Sequence, residues 1–247
     1  MPTPTFRILN PAGNLVADRN AYSINFLGRA TLTATVQPAG SAGSLAGREN
    51  GFSTYTFNSA DPIFPVLELK SSHVVRLLNC TRSGATWTIK VYCGTATLDS
   101  FGFATQAACE VYIFGRFASS GGLGLKLRND AGTLTHVYTD TDGPPLWARS
   151  RVSEDGAAID ISSARSIAAL SKPAAAGFAH HDKYTSQRIS SSSYRNHEWL
   201  YGWRWDSASP SSLYLAETKI WQNGDTAPFG TTKIRPSETL IINAASL

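Results

Sequence analysis

The sequence predicts an all-β fold, organised as two tandem, small β-sandwich-like domains with at most one short helix in the second. Three observations predict it: short apolar runs alternate with polar residues, no strand–helix–strand rhythm occurs, and one hairpin-like segment is written twice. Hydrophobic residues make up 42% of the 247 residues, and charged residues only 16%. The apolar fraction is ordinary for a globular protein, and the length accommodates two cores.

The duplicated segment gives the clearest prediction of local structure. It spells FRILNPAGNLVADR from Phe6 and LKLRNDAGTLTHVY from Leu125. In each copy Asn can bond its own backbone, and Gly can adopt a positive φ without steric cost. We therefore predict two β-hairpins, Phe6–Asp18 and Leu125–Tyr138. The predicted turn residues are Asn10, Gly13, Asn129 and Gly132.

The two hairpins predict the domain boundaries. Residues 1–117 would form a first domain that opens with the first hairpin. Residues 118–124, ASSGGLG, have the composition of a linker, and residues 125–247 would form the second domain. A Gly/Ala/Ser-rich segment, Gln37–Gly51, is too long for a plain connector and is predicted to be a loop.

The first half alternates clearly between apolar and polar residues. In TWTIKVYCG, Trp87, Ile89 and Val91 fall on one face, which is typical of a half-buried antiparallel strand. The apolar run HVVRLLNC precedes it, and Ser83-Gly84 between the two predicts a hairpin turn.

The second half of the sequence is predicted to contain a short helix, a turn and an aromatic strand. A short helix is predicted near Ser162–Leu170, before Pro173, and Asn223-Gly224 is predicted to be a turn. In EWLYGWRWD, every second residue of the predicted aromatic strand Trp199–Trp205 is aromatic, so the aromatic side chains share one face. Its four aromatic residues on one face are Trp199, Tyr201, Trp203 and Trp205. We predict that this face is a core wall, because strand aromatics mostly pack. The alternative is a platform on which sugar rings or an apolar surface could stack, and a subunit interface would also need such a wide aromatic face.

Charge and hydropathy exclude several classes of partner. The net charge is +4 without a run of Lys or Arg, so nucleic acid is not expected. The N-terminal residues lack the cationic and apolar regions of a signal peptide, and no apolar stretch reaches membrane-spanning length. Cys80, Cys93 and Cys109 are then expected to be reduced and mostly buried, with Cys80 and Cys93 on neighbouring strands.

No motif assembles an active site or a metal site. His180-His181-Asp182 lacks further ligands at metal-binding spacing, and DTDG at 140–143 lacks the rest of a calcium loop. Glu198 and Asp206 lie too far apart on one strand to act as paired glycosidase carboxylates. We therefore expect a protein without enzymatic activity, cofactor or metal.

Two segments carry a resemblance to a known group of proteins. The opening FRILNPAGNLVADRNAYSINFLG and the stretch from EVYIFGRF to the second hairpin resemble tail-tip and baseplate-associated proteins of long-tailed (siphovirus-type) bacteriophages. In the second copy of the motif the matching residues are Tyr112, Phe114, Leu123, Leu125, Asn129, Gly132 and Leu134. In the first copy they are Phe6, Ile8, Asn10, Gly13, Leu15 and Asp18.

The resemblance implies a virion structural protein of the viral tail, assembled in the host bacterial cytoplasm. We expect multiple copies around the tail axis that contact each other and other tail, baseplate or fibre proteins, with a contribution to host attachment through a surface receptor. The first domain is expected to dock on the tail. The alternative is a carbohydrate-binding module or lectin that uses the Trp199–Trp205 face.

Overall fold

The computed structural model of the chain is built from β-strands. It describes residues 7–9, 15–18, 24–35, 48–49, 51–98, 102–116, 124–129, 131–132, 134–139, 149–153, 158–160, 172–176, 182–208, 212–225, 227–228, 237–244 and 247. Every regular element among these residues is a strand, which confirms the predicted all-β class. The predicted helix near Ser162–Leu170 lies outside the described residues.

Twenty strands are described. The first ten are β1 (Arg7–Leu9), β2 (Leu15–Asp18), β3 (Ile24–Arg29), β4 (Thr31–Thr35), β5 (Arg48–Glu49), β6 (Ser53–Asn58), β7 (Ile63–Glu68), β8 (His73–Ser83), β9 (Thr86–Leu98) and β10 (Ala104–Gln106). The remaining ten are β11 (Val111–Arg116), β12 (Gly124–Arg128), β13 (Leu134–Thr139), β14 (Arg149–Ser153), β15 (Ala158–Asp160), β16 (Pro173–Ala176), β17 (Asp182–Ser190), β18 (Ser193–Trp205), β19 (Ser212–Asp225) and β20 (Ser237–Asn243).

The strands form two large antiparallel sheets and two small ones. The ten-stranded sheet has the order β15-β19-β18-β8-β9-β6-β4, with β10 beside β9, β17 beside β18 and β5 beside β19. The six-stranded sheet has the order β14-β20-β16-β7-β11-β3. The hairpins β1–β2 and β12–β13 are each a separate two-stranded sheet.

A long central hairpin organises the ten-stranded sheet. Strands β8 and β9 span 11 and 13 residues, and Ser83 pairs with Thr86 across a two-residue turn. Gly84 in this turn has a φ of 61°, which glycine adopts without the penalty that a Cβ imposes. The hairpin predicted here is therefore confirmed, but its two turn residues are Gly84 and Ala85, and Ser83 is the last residue of β8.

The main core lies between the two large sheets. The ten-stranded sheet contributes Tyr55, Ile89 and Val91, and the six-stranded sheet contributes Leu67 and Ile113. Each of these side chains is at most 5% exposed. Two antiparallel sheets that enclose one apolar layer make the fold β-sandwich-like.

Strands from both halves of the chain share these sheets. Strand β18 pairs with β8, and β16 pairs with β7, although each pair comes from opposite sides of residues 118–124. An ion pair of 2.8 Å also joins Lys172 Nζ to Glu110 Oε2. The two predicted parts, 1–117 and 125–247, thus contribute to common sheets, whereas independent tandem domains would each keep their own. Most of the predicted linker, residues 118–123, lies outside the described residues.

One turn was predicted wrongly. Asn223 and Gly224 lie inside β19, where they pair with Asn196 and Arg195 of β18. The long partner strand supplies a ladder that extends through this dipeptide, and such tertiary pairing outweighs a local turn preference.

Candidate functional site

The aromatic strand β18 was the principal candidate site. Tyr201 and Trp203 are 1% and 3% exposed and belong to the core between the sheets, against which Trp205 also packs. Trp199 and Trp205 are half-buried. Because the rings of Tyr201 and Trp203 are enclosed, they cannot stack on a ligand while the sandwich is closed. The central residues of this strand therefore pack in the core.

Two aromatic side chains of this strand form hydrogen bonds to the neighbouring strands. The Tyr201 hydroxyl donates to Glu217 Oε2 at 2.9 Å, and Glu217 is its cross-strand partner on β19. Trp199 Nε1 donates to Thr185 Oγ1 at 2.9 Å on β17. Buried Tyr and Trp side chains usually pair their polar atoms in this way. The two hydrogen bonds restrain the orientation of both rings.

A buried cation lies beside this strand. Lys219 is 9% exposed, and its Nζ lies 5.3 Å from the ring centroid of Phe103 and 5.6 Å from that of Trp199. Nζ also donates to Gln222 Oε1 at 3.5 Å. Two aromatic faces and an amide oxygen offset part of the cost of burying the ammonium group.

His197 completes this polar cluster. Its ring is 6.2 Å from that of Trp199, and its Nδ1 is 3.5 Å from Thr185 Oγ1. Burial lowers the pKa of His197, and the charges of Lys219 and Arg195 lower it further. The imidazole is therefore neutral near pH 7. We name His197, Trp199, Lys219 and Gln222, with Phe103, the polar–aromatic cluster.

The two carboxylates considered for glycoside chemistry do not converge. Glu198 accepts from the Tyr184 hydroxyl at 3.3 Å, and Asp206 accepts from the backbone N–H of Ala208 at 3.0 Å. They are eight positions apart along an extended segment, which corresponds to about 26 Å. No group of three or more His, Cys, Asp or Glu side chains in the described residues could hold a metal ion. His180, His181 and residues 140–143 lie outside that part of the chain.

The predicted hairpins are present and built alike. In β1–β2, Ile8 pairs with Ala17 and Leu9 with Leu15, so one residue of the second strand is skipped. In β12–β13, Leu127 pairs with His136 and Arg128 with Leu134, which is the same skip at the equivalent position. The repeated sequence therefore encodes a repeated backbone register, including its bulge.

The second hairpin shows how its turn works. The N–H of Gly132 donates to the Asn129 carbonyl at 2.9 Å, and Gly132 has a φ of 76°. A β-turn followed by a left-handed glycine is the standard way to make a bulged hairpin connection. The left-handed conformation predicted for Gly132 is confirmed, while Asn10 and Gly13 lie outside the described residues.

A polar sheet face was missed by the sequence analysis. On β6, β8 and β9, the residues that alternate with the core positions are Thr, Ser and Asn in large part, and β4 beside them is exposed at all five residues. The spacing of threonines in TLTAT, STYTFN and TWTIK was a visible signal. Which threonines lie beside each other depends on the register between strands, and this register cannot be read from the sequence.

Comparisons with known proteins found no match. No protein-family description matches it, and neither a curated protein nor a solved structure is significantly similar to it. In the described part of the chain, no helix has the length and apolarity needed to cross a bilayer. The class that the fold defines is an all-β, sandwich-like protein.

Proposed function

We propose that this chain is a structural component of a bacteriophage tail tip or baseplate, present in several copies around the tail axis. The observation that carries the proposal is the pair of equivalent hairpins. Their sequences resemble tail-tip proteins, and both copies have the same bulged register.

The placement of the hairpins favours a docking role. Among the described strands, neither β1–β2 nor β12–β13 pairs with a strand of the two large sheets. A two-stranded hairpin is marginal by itself and gains stability by packing on another surface. Two such ribbons on one subunit suit contacts with repeated neighbours, because a symmetric assembly multiplies each weak contact.

The alternative was a carbohydrate-binding module that uses the aromatic strand. The burial of Tyr201 and Trp203 leaves that strand without a continuous exposed platform. A carbohydrate-binding role would therefore need another surface.

The test is to locate and count the chain in particles. Tails purified from cells that produce this protein are reconstructed by electron microscopy, and copies per tail are counted by quantitative mass spectrometry. We expect several symmetry-related copies. A single copy, or no copy in the particle, would contradict the proposal.

A variant connects the assembly to the hairpin. Gly132→Val strains a left-handed position with open space around it, and Gly84→Val makes the same change in the central hairpin. We expect Gly132→Val to lower incorporation into tails more than Gly84→Val, with both proteins soluble and folded by circular dichroism. Equal incorporation of both would count against a docking role for β12–β13.

A further inference from the structure

Four adjacent strands carry a ladder of hydroxyl and amide side chains on the outer face of the ten-stranded sheet. Thr31 of β4 pairs with Thr56 of β6, which pairs with Thr88 of β9, which pairs with Thr81 of β8. Directly paired residues point to the same side of a sheet, so these four threonines form one row.

Two further rows flank the first. We name all three rows the hydroxyl face. One flanking row is Asn58, Thr86 and Ser83, and the other is Thr54, Lys90 and Asn79. Rows two residues apart are separated by about 6.7 Å, and neighbouring strands by about 4.8 Å.

The hydroxyl face is open to solvent. Each of its ten side chains is exposed or half-buried, although Tyr55, Ile89 and Val91 between them on the same strands are at most 2% exposed. These core residues anchor β6 and β9, so the side chains at the centre of the face, among them Thr56 and Thr88, stand on a fixed framework. Thr31, Thr56, Thr81 and Thr88 make no side-chain hydrogen bond to another described residue, so their hydroxyls are available to a ligand.

The face is almost uncharged. Lys90 is its one ionisable residue, and the Lys90 ammonium lies 4.7 Å from the ring centroid of Phe52. A polyanion would need several cations, and a second protein subunit would need apolar side chains at the centre of the interface. The hydroxyl face offers neither at its centre.

We propose that the hydroxyl face binds a neutral, hydroxyl-rich polysaccharide. Each Thr or Ser hydroxyl is both a donor and an acceptor, as each sugar hydroxyl is, so rows of them can pair with successive sugar units. Because the strands hold the hydroxyls in place, little ordering entropy is lost on binding. A shallow face gives weak binding per copy, and several copies on one particle raise it through effective concentration. The proposal rests on the proposed function only for its role in host attachment.

The experiment measures retention of the isolated chain in gels that contain a soluble polysaccharide. The probes are dextran and galactomannan, which are neutral, and alginate, which is acidic. Thr56→Val/Thr88→Val replaces two central hydroxyls by methyl groups of the same shape, and Thr105→Val is the matched control at an exposed threonine on β10. We expect retention by at least one neutral polymer, weakened about tenfold in the double variant and unchanged in the control.

Several results would overturn the proposal. They are no retention by either neutral polymer, equal retention of the double variant, retention by alginate alone that Lys90→Gln abolishes, or dimerisation that the double variant abolishes. If the double variant does not fold, Thr81→Val/Ser83→Ala near the hairpin end gives the same comparison. Binding by the isolated chain is independent of its presence in tails, so failure here and failure of the tail assignment are distinguishable.

Discussion

At the residue scale, His197 is the group in the polar–aromatic cluster whose charge can change near neutral pH. The folded state keeps it neutral because burial, Lys219 and Arg195 lower its pKa below the ordinary 6.5. The unfolded chain takes up the proton first as the pH falls through 6.5. The contribution of neutral His197 to the free energy of unfolding should therefore be fully present above pH 6.5. It should decline as the pH falls from 6.5 toward the lowered pKa of the folded state.

This prediction is checked by urea unfolding at pH 7.5, 6.5 and 5.5. His197→Gln keeps a neutral polar side chain and should flatten the decline between pH 6.5 and 5.5. A decline of unchanged steepness in the variant would assign the acid sensitivity to other groups.

The thiols give a second prediction at this scale. Cys93 and Cys109 are 0% and 5% exposed, and Cys80 is half-buried. A hydrogen bond with Cys93 and burial raise the pKa of Cys109, and burial raises that of Cys80. Cys80 on β8 and Cys93 on β9 lie on neighbouring strands, as the sequence predicted. Cys80 is paired with Ile89, however, and the thiol that interacts with Cys93 is that of Cys109.

We expect a thiol reagent to modify Cys80 about tenfold faster than the other two in the folded protein. Peptide mapping after a short exposure checks this order, with urea-unfolded protein as the reference for equal reactivity. Early modification of Cys93 would show that the core between the sheets opens readily.

At the element scale, Gly202 shows how closely β18 approaches β8. A Cβ at Gly202 would lie 2.8 Å from the Val75 carbonyl oxygen and 2.8 Å from Val74 Cγ1. A backbone atom cannot move aside as a flexible side chain can, so the two strands would have to separate. The glycine between the aromatic residues of β18 thus permits the pairing that joins the two halves of the chain.

Gly202→Ala should lower the free energy of unfolding by about 2 kcal/mol, because it overpacks this contact. Gly84→Ala, at a turn with open space, should cost about 1 kcal/mol through its positive φ alone. Chemical denaturation of both variants tests the difference. Equal losses would mean that β8 and β18 are less tightly joined than the distances indicate.

At the scale of the whole molecule, the shared sheets predict how the chain unfolds. Strands β8 and β7 from the first half pair with β18 and β16 from the second, and Lys172 reaches Glu110 across the same divide. Such pairing covers strands that would otherwise be open edges. We therefore expect one main cooperative transition on heating.

Calorimetry decides this by comparing the calorimetric and van't Hoff enthalpies, which agree for a two-state transition. Two well-separated transitions, each retained in a fragment that covers 1–117 or 125–247, would instead favour independent tandem domains. Gly202→Ala offers a further check, because weakening the joint should move a shared transition as a whole.

The sequence by itself determined the all-β class, the hairpin at Gly84 and the second hairpin with its left-handed glycine at Gly132. These features depend on alternation and on the conformational freedom of glycine, which act within a few residues. The sequence left open whether the aromatic strand is a core wall or a surface for a ligand or another subunit. The burial of Tyr201 and Trp203 favours the core wall.

Only the tertiary structure decided which strands share a sheet and which side chains stand beside each other. The row Thr31, Thr56, Thr88 and Thr81 exists because three registers align. A shift of one residue in any of these registers would place the threonine of the shifted strand on the opposite face of the sheet. Asn223-Gly224 entered a strand for the same reason, since its partner strand continued past it. Pairing between distant segments depends on the whole chain, so a local pattern could predict the strands but not their neighbours.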